Sequence, residues 1–210
     1  MSTKTITKTI TKTKKIVKPI TPAAMRVSIA KDVLARIEEK TLVPTIGTWV
    51  EDKKLGEITD FVDKKVDWYG DDPRHSQKLP LKDYACGITK CNACALGAIF
   101  VSSVCMYGGE TQLPASKFNH DQIFLNLRSS PLSTYFSVGQ LKLIERCFEG
   151  AGAMHSTQGN NSMLGERYAD IFKNNKVRLT AIMTNIIRNN GMFEPQQDLA
   201  QAMVKEGKSK

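Results

Sequence analysis

Hydrophobic and polar positions follow helical spacing along most of the chain. Between residues 29 and 37 the apolar side chains fall on one face and the charged ones fall mainly off it, as in an amphipathic helix. Ser28 is the expected N-cap of this helix. Its end is expected near Lys40, because the residue before Pro44 avoids helical geometry. Apolar residues at nearly the same spacing predict a second helix over residues 53–66.

The longest weakly polar run lies at residues 91–104 and predicts a buried central helix. Asn92 is expected to cap a helix over residues 93–107, and Gly108 is expected to end it. Gly97 lies inside this helix, where a glycine costs roughly 1 kcal/mol relative to alanine. We therefore expect another helix to pack closely over Gly97.

The second half of the chain also carries helical patterns. Ser137 and Gln140 have the spacing of a capping box, which predicts the start of a helix that ends near Glu149. Beyond a polar linker, two amphipathic helices are predicted over residues 163–172 and 177–189.

These patterns predict a mainly α protein, an irregular helical domain of five to seven helices. A small extended element is expected near residues 45–50, where β-branched and aromatic residues cluster. We divide the chain into a Lys/Thr-rich tail at residues 1–22, a helical domain at 23–193, and a C-terminal helix with a charged end at 194–210. The tail is expected to be disordered, since lysine repulsion and few apolar contacts do not offset its ordering entropy.

The net charge of +9 is concentrated in the tail. The chain has 30 Lys and Arg against 21 Asp and Glu, but six of the lysines and no acid lie within the first 18 residues. Removing these six leaves 24 basic against 21 acidic residues, which is +3. A DNA-binding domain normally keeps a larger basic excess. Affinity for nucleic acid is therefore expected only through unspecific charge in the tail, at Lys4, Lys8, Lys12, Lys14, Lys15 and Lys18.

Composition also indicates a cellular compartment. The chain has no apolar run of the roughly 18 residues that a transmembrane helix requires. Its N-terminus has no apolar core or cleavage site of a secretory signal. Five cysteines, an odd number, fit reduced thiols better than a secreted disulfide framework. We expect a cytoplasmic protein that does not bind membranes.

The cysteines suggest a metal site. Cys86, Cys91 and Cys94 have the spacing C-x4-C-x2-C. A structural zinc site takes four ligands, often as two CxxC pairs, whereas only Cys91 and Cys94 form such a pair and Cys105 lies about three helical turns further on. Zinc is thus an alternative to the simpler interpretation, in which Cys94, Cys105 and Cys147 are small buried hydrophobic residues and no cofactor is bound.

A second hypothesis makes Cys94 a nucleophile. In the first turn of a helix, the helix dipole and free N–H groups lower the pKa of a thiol. A cysteine nucleophile also needs a base, and the chain has three histidines, His75, His120 and His155. Cys94 with His120 or His155 would form a dyad of the kind used in acyl transfer. No local sequence signature accompanies it, so a cysteine-dependent hydrolase or transferase stands as an alternative.

Three segments carry a family resemblance. Trp49, residues 94–98 (Cys-Ala-Leu-Gly-Ala) and the pattern Tyr-Phe-Ser-x-x-Gln-Leu-x-x-Ile-Glu-x-x-Phe-Glu-Gly at residues 135–150 resemble small uncharacterised proteins of bacteriophages and their bacterial hosts. That group has no established activity and implies no catalytic residues, but it implies a cytoplasmic accessory protein.

The function predicted from the sequence is binding rather than catalysis. We expect a non-enzymatic, phage-encoded accessory protein that binds a host protein or a small ligand. The alternatives are the Cys94-dependent enzyme and a zinc-supported nucleic-acid-binding protein that would use the sulfur cluster together with the basic tail.

Overall fold

The computed structural model describes residues 21–52, 56–57, 81–108, 131–150 and 160–207. Within these ranges the protein is mainly α-helical, which confirms the predicted fold class. A short 3-10 turn at Pro131–Thr134 precedes the fourth helix. The seven helices of these ranges are α1 (Pro22–Glu38), α2 (Leu81–Gly87), α3 (Ala95–Tyr107), α4 (Val138–Glu149), α5 (Asn160–Ile171), α6 (Asn175–Arg188) and α7 (Pro195–Gly207).

Helix α1 begins six residues before the predicted Ser28 N-cap, at Pro22. The N-cap is Thr21, whose Oγ1 accepts a hydrogen bond from the Ala24 N–H at 3.2 Å. Pro22 stands at the first helical position, where its fixed φ favours the helix and its missing N–H removes no intrahelical bond. The predicted start is too late because a proline fits the first turn of a helix as well as it fits an irregular segment.

Helices α1 and α6 both end in a Schellman motif, in which one residue takes a left-handed conformation. After α1 this residue is Lys40, with φ 61°, and the Thr41 N–H donates to the Arg36 carbonyl at 3.0 Å. After α6 the corresponding residue is Asn190, with φ 50°, followed by Gly191. Lysine is an unusual choice here, since glycine adopts this conformation without strain.

A small mixed sheet lies beside the helices and consists of β1 (Leu42–Pro44), β2 (Val50–Asp52), β3 (Gly56–Glu57) and β4 (Cys91–Ala93). The order of the strands in the sheet is β1-β4-β2-β3. β1 pairs in parallel with β4, while β2 is antiparallel to both β4 and β3. The predicted extended element near residues 45–50 is thus a turn with a strand on each side. Gly56–Glu57 is a strand where a helix over 53–66 was predicted, and the rest of that segment lies outside the described residues.

Helix α3 is the buried central helix that the sequence predicts. Every residue from Ala95 to Val104 is buried. Its N-cap is Cys94, whose Sγ accepts a hydrogen bond from the Gly97 N–H at 3.4 Å. Asn92, the predicted cap, instead lies in β4, where its side-chain amide donates to Glu51 Oε2 at 2.9 Å.

Gly97 permits a close approach, although the neighbour is not a helix. A Cβ at this position would lie 1.7 Å from the carbonyl oxygen of Trp49, at the entry to β2. The sheet therefore contacts α3 through the backbone itself, and the Trp49 ring packs on Phe100 of α3 with centroids 5.7 Å apart.

Buried polar side chains fix the C-terminal helices. Arg178 of α6 is 5% exposed and donates to the carbonyl of Phe148 at 2.5 Å, of Phe172 at 2.8 Å and of Ala169 at 3.0 Å. These carbonyls lie at the ends of α4 and α5, where the last helical C=O groups lack intrahelical partners. A single guanidinium therefore caps two helices.

The capping box predicted at the start of α4 is only half formed. Ser137 Oγ accepts from the Gln140 N–H at 3.2 Å, as expected. The Gln140 side chain, however, pairs with the backbone of Phe193, accepting from its N–H at 2.8 Å and donating to its carbonyl at 3.3 Å. The Asn185 side chain pairs with the backbone of Glu194 in the same way: it accepts from the Glu194 N–H at 2.8 Å and donates to the Glu194 carbonyl at 2.9 Å. Both amides thus anchor the segment that leads into α7.

Candidate functional site

The three cysteines of the predicted zinc site lie on separate elements. Cys86 is exposed in α2, Cys91 is buried in β4, and Cys94 is buried at the start of α3. Within the described ranges, no group of three His, Cys, Asp or Glu residues is placed to hold a metal ion. The described residues therefore contain no set of side chains arranged to bind the zinc ion that the cysteine spacing suggests.

The histidines of the predicted dyad, His120 and His155, lie outside the described residues, as does His75. Cys94 itself is 2% exposed. Burial, followed by the charges of Glu149 and Glu145, raises the pKa of its thiol to about 12, against a lowering by the backbone N–H groups of Gly97 and Leu96. Since the thiolate is the nucleophilic form of cysteine, this environment disfavours nucleophilic attack at neutral pH.

Glu145 of α4, whose charge acts on Cys94, is a buried carboxyl that sequence reasoning did not single out. It is 3% exposed, and its Oε2 has no hydrogen-bond partner among the residues that the structure describes. Burial, and then the charge of Glu149 one turn on, raise its pKa to about 7, against the opposing effects of Arg146 and Lys142. Glu149 in turn accepts from the Gly47 N–H at 2.9 Å. The start of α4 at the Ser137 cap fixes which residues of this helix face inward, and Glu145 is one of them. This helical spacing is the sequence signal that would have identified Glu145.

Replacing Glu145 by glutamine is expected to remove a pH dependence of stability. A carboxyl with a raised folded pKa binds its proton more tightly in the folded state, so its stabilisation is fully present below the unfolded pKa and is lost as the pH rises through about 7. The free energy of unfolding of the wild type should therefore fall by about 2 to 3 kcal/mol relative to Glu145→Gln between about pH 4.5 and pH 8.

Urea denaturation at a series of pH values measures this difference. Glu166→Gln, which removes an exposed carboxyl on α5, is the matched control for the loss of one charge. Parallel stability curves for the wild type and Glu145→Gln would show that the buried carboxyl does not titrate as inferred.

An open cleft lies where the end of α1, strand β1 and the start of α6 meet. Its volume is about 460 Å³, which is within the range of small-molecule sites. Three lysines, Lys40, Lys173 and Lys176, belong to its lining, and none of the described lining residues is Asp or Glu. The other lining residues are Ile37, Leu42, Val43, Pro44, Asn174 and Asn175.

The start of α6 adds to the positive character of this lysine cleft. A helix N-terminus carries a partial positive charge, and the first turn of α6 contains no acidic residue. The Asn174 side chain already accepts from the N–H groups of Lys176 at 2.9 Å and Val177 at 3.2 Å. An anion in the cleft would therefore depend mainly on the lysine ammonium groups and on long-range attraction by the helix dipole.

The sequence contained one local sign of this cleft. Lys173-Asn174-Asn175-Lys176 joins two lysines to an asparagine N-cap, a combination typical of a basic helix start. The third lysine, Lys40, reaches the same place only through the packing of α1 against α6. That long-range contact has no signature in sequence spacing.

Comparison with known proteins gives no family assignment. No protein-family model matches the chain, and neither the curated proteins nor the solved structures provide a significant match. Among the described residues, no helix combines the length and apolar character needed to cross a membrane. The function must therefore be argued from the lysine cleft and its surroundings.

Proposed function

We propose that the protein is a non-enzymatic binding protein, and that its lysine cleft takes a small organic anion with an apolar part. One observation carries this proposal: three lysines from two distant segments line the same cleft as four apolar residues, which we call its floor, and no carboxylate belongs to the lining among the described residues. A carboxylate or phosphate group would contact the lysines, while the apolar part would cover the floor.

The floor supplies the contact for the apolar part. It is formed by Ile37 of α1 and by Leu42, Val43 and Pro44 of β1. Val43 is 38% exposed, so a ligand that covers it removes apolar surface from water. Such burial contributes roughly 25 cal/mol for each Å² covered. An inorganic anion alone would gain none of this energy.

Lys40 supports the proposal through its backbone. A non-glycine residue in the left-handed conformation costs roughly 1 kcal/mol relative to glycine. The chain nevertheless has lysine at this position, with φ 61°, and this lysine is one of the residues that line the cleft. A ligand role for the ammonium group explains why a residue that is unfavourable for the Schellman motif occupies it.

We further propose that the protein acts in the cytoplasm of a bacterial host as a phage-encoded accessory protein. The resemblance to small phage proteins through Trp49 and residues 94–98 and 135–150 supports this, and all five cysteines are free thiols, as in reducing compartments. In this proposal the lysines within residues 1–18 remain the expected contact for nucleic acid.

Isothermal titration with phenyl phosphate, inorganic phosphate and benzyl alcohol tests the cleft. Phenyl phosphate carries both an anionic and an apolar part, so we expect it to bind more tightly than either of the others. Replacing Lys40, Lys173 and Lys176 together by glutamine should weaken the binding of phenyl phosphate at least about tenfold, equivalent to about 1.4 kcal/mol. Added salt should also weaken this binding, because the ion pairs between phosphate and lysine are exposed to solvent.

The matched control removes the same charge elsewhere. Lys31, Lys82 and Arg167 are exposed and do not line the cleft. Their joint replacement by glutamine should leave affinity within about twofold of the wild type, since exposed charges beyond about 10 Å are screened. Equal losses in the two triple variants, or no binding of phenyl phosphate, would refute the proposal.

A further inference from the structure

An apolar patch lies on the outer surface of helices α5 and α7. Met163 of α5 is 71% exposed, and Met203 and Val204 of α7 are 52% and 56% exposed. Single exposed apolar side chains are common on protein surfaces, whereas a contiguous group of them marks an interaction site. Methionine is also enriched at interfaces, because its flexible thioether adapts to the surface of a partner.

Arg167 joins the two helices at this patch. It lies four residues after Met163, so the two side chains are neighbours on one side of α5. Its guanidinium donates to Met203 Sδ of α7 at 3.0 Å. On the buried side of α5, the Tyr168 hydroxyl donates to Asp198 Oδ2 at 2.8 Å and holds the two helices together. We call this surface the methionine face, and its members are Met163, Arg167, Met203 and Val204.

Charges of both signs accompany the methionine face. Asp170 is exposed at its edge, three residues after Arg167 and seven after Met163, which places all three on one side of α5. Among the described residues, neither the Arg167 guanidinium nor the Asp170 carboxylate forms an ion pair. A surface for a strongly acidic or basic partner carries charges of one sign. A surface with both signs is complementary to a second copy of itself.

We propose that the methionine face is a self-association surface, through which two copies of the protein form a symmetric dimer. In a contact with two-fold symmetry each copy uses the same surface, so every pair of residues across the contact occurs twice. Arg167 of each copy then lies against Asp170 of the other copy. The methionines of both copies form the apolar centre, and the two ion pairs belong to the polar rim.

The size of the methionine face predicts a weak dimer. Helices α5 and α7 have 12 and 13 residues, so their joint outer surface is about 20 Å long and about 20 Å wide. This area is smaller than the roughly 800 Å² that each partner buries in a stable complex. We therefore expect a dissociation constant of tens of micromolar, with the monomer predominating at the low micromolar concentrations of denaturation experiments. The methionine face shares no residue with the lysine cleft, so the two surfaces can be tested separately.

Sedimentation velocity of the full-length protein, from low to high micromolar concentration, tests the inference. We expect a shift from monomer to dimer that ends at two copies. Met203→Glu places a charge in the apolar centre and should weaken the dimer at least about tenfold, while its exposed position leaves the monomer folded. Met106→Glu is the matched control, because Met106 of α3 is also exposed, at 42%. It should leave the dissociation constant within about twofold of the wild type.

Two charge reversals test the ion pairs. Arg167→Glu and Asp170→Arg each place like charges opposite one another in the homodimer, and each should weaken self-association about tenfold. An equimolar mixture of the two variants should form a heterodimer with nearly the wild-type affinity, because both pairs again join opposite charges. A dimer that tolerates Met203→Glu, association beyond two copies, or a mixture that does not recover would overturn the inference. So would a monomer at every concentration, which would leave the methionine face to a partner of different sequence.

Discussion

Gly97→Ala is expected to lower the free energy of unfolding by about 4 kcal/mol or more, beyond the usual cost of overpacking. The added methyl would lie 1.7 Å from the Trp49 carbonyl oxygen and 2.7 Å from its carbon. The neighbour cannot move aside cheaply, because it is backbone. The Cys94 N–H donates to the Thr48 carbonyl at 2.5 Å, and Val50 pairs with β4.

Gly139→Ala is the matched control, since Gly139 also lies within a helix. Its nearest neighbour would be Ser137 Oγ at 4.0 Å, so alanine meets no obstacle. Helix propensity alone should then stabilise this variant by about 0.5 to 1 kcal/mol. Urea denaturation measures both variants, and a destabilisation by Gly97→Ala below about 1 kcal/mol would contradict the close contact of Trp49 with α3.

Arg178→Met is expected to destabilise the protein by about 3 to 5 kcal/mol, because each buried group left without its hydrogen bond costs about 1 to 3 kcal/mol. Methionine retains much of the apolar stem but leaves the carbonyls of Phe148, Ala169 and Phe172 without the donors that they have in the wild type. The cost is high because the guanidinium caps two helices from a site that is 5% exposed.

Two further variants separate this capping role from charge. Arg178→Lys restores one positive group but not the planar fork that reaches several carbonyls at once, so its stability should fall between those of wild type and Arg178→Met. Arg167→Met removes an exposed guanidinium of α5 and should change stability by less than about 0.5 kcal/mol. Equal stabilities of Arg178→Lys and the wild type would show that charge alone suffices.

The sequence predicted most of the helices because their signals are local. Apolar spacing located α3, and the Ser137 cap located the start of α4 to the residue. The helices predicted over residues 163–172 and 177–189 correspond to α5 and α6, with boundaries differing by one to three residues. Helical hydrogen bonds join residues four apart, so the determinants of each helix lie within its own segment.

The sheet and the candidate sites depend on distant contacts and were missed for that reason. Strands of two or three residues are too short to show an alternating pattern. The cysteine spacing drew attention to Cys86, Cys91 and Cys94, which the structure places on three different elements. Lys40 likewise reaches Lys173 only through the packing of α1 on α6.

The parallel pairing of β1 with β4 bears on the order in which the chain folds. Leu42 pairs with Cys91, so the long segment between them must form a closed loop before these two strands can pair. The pairing covers only three residues on each strand, so its hydrogen bonds offset little of the entropy lost in closing the loop. Helix α1 directly precedes β1, α3 directly follows β4, and these two helices pack on each other. We therefore expect the docking of these helices to bring the two strands into register, so that the sheet forms after the helices assemble and does not nucleate folding.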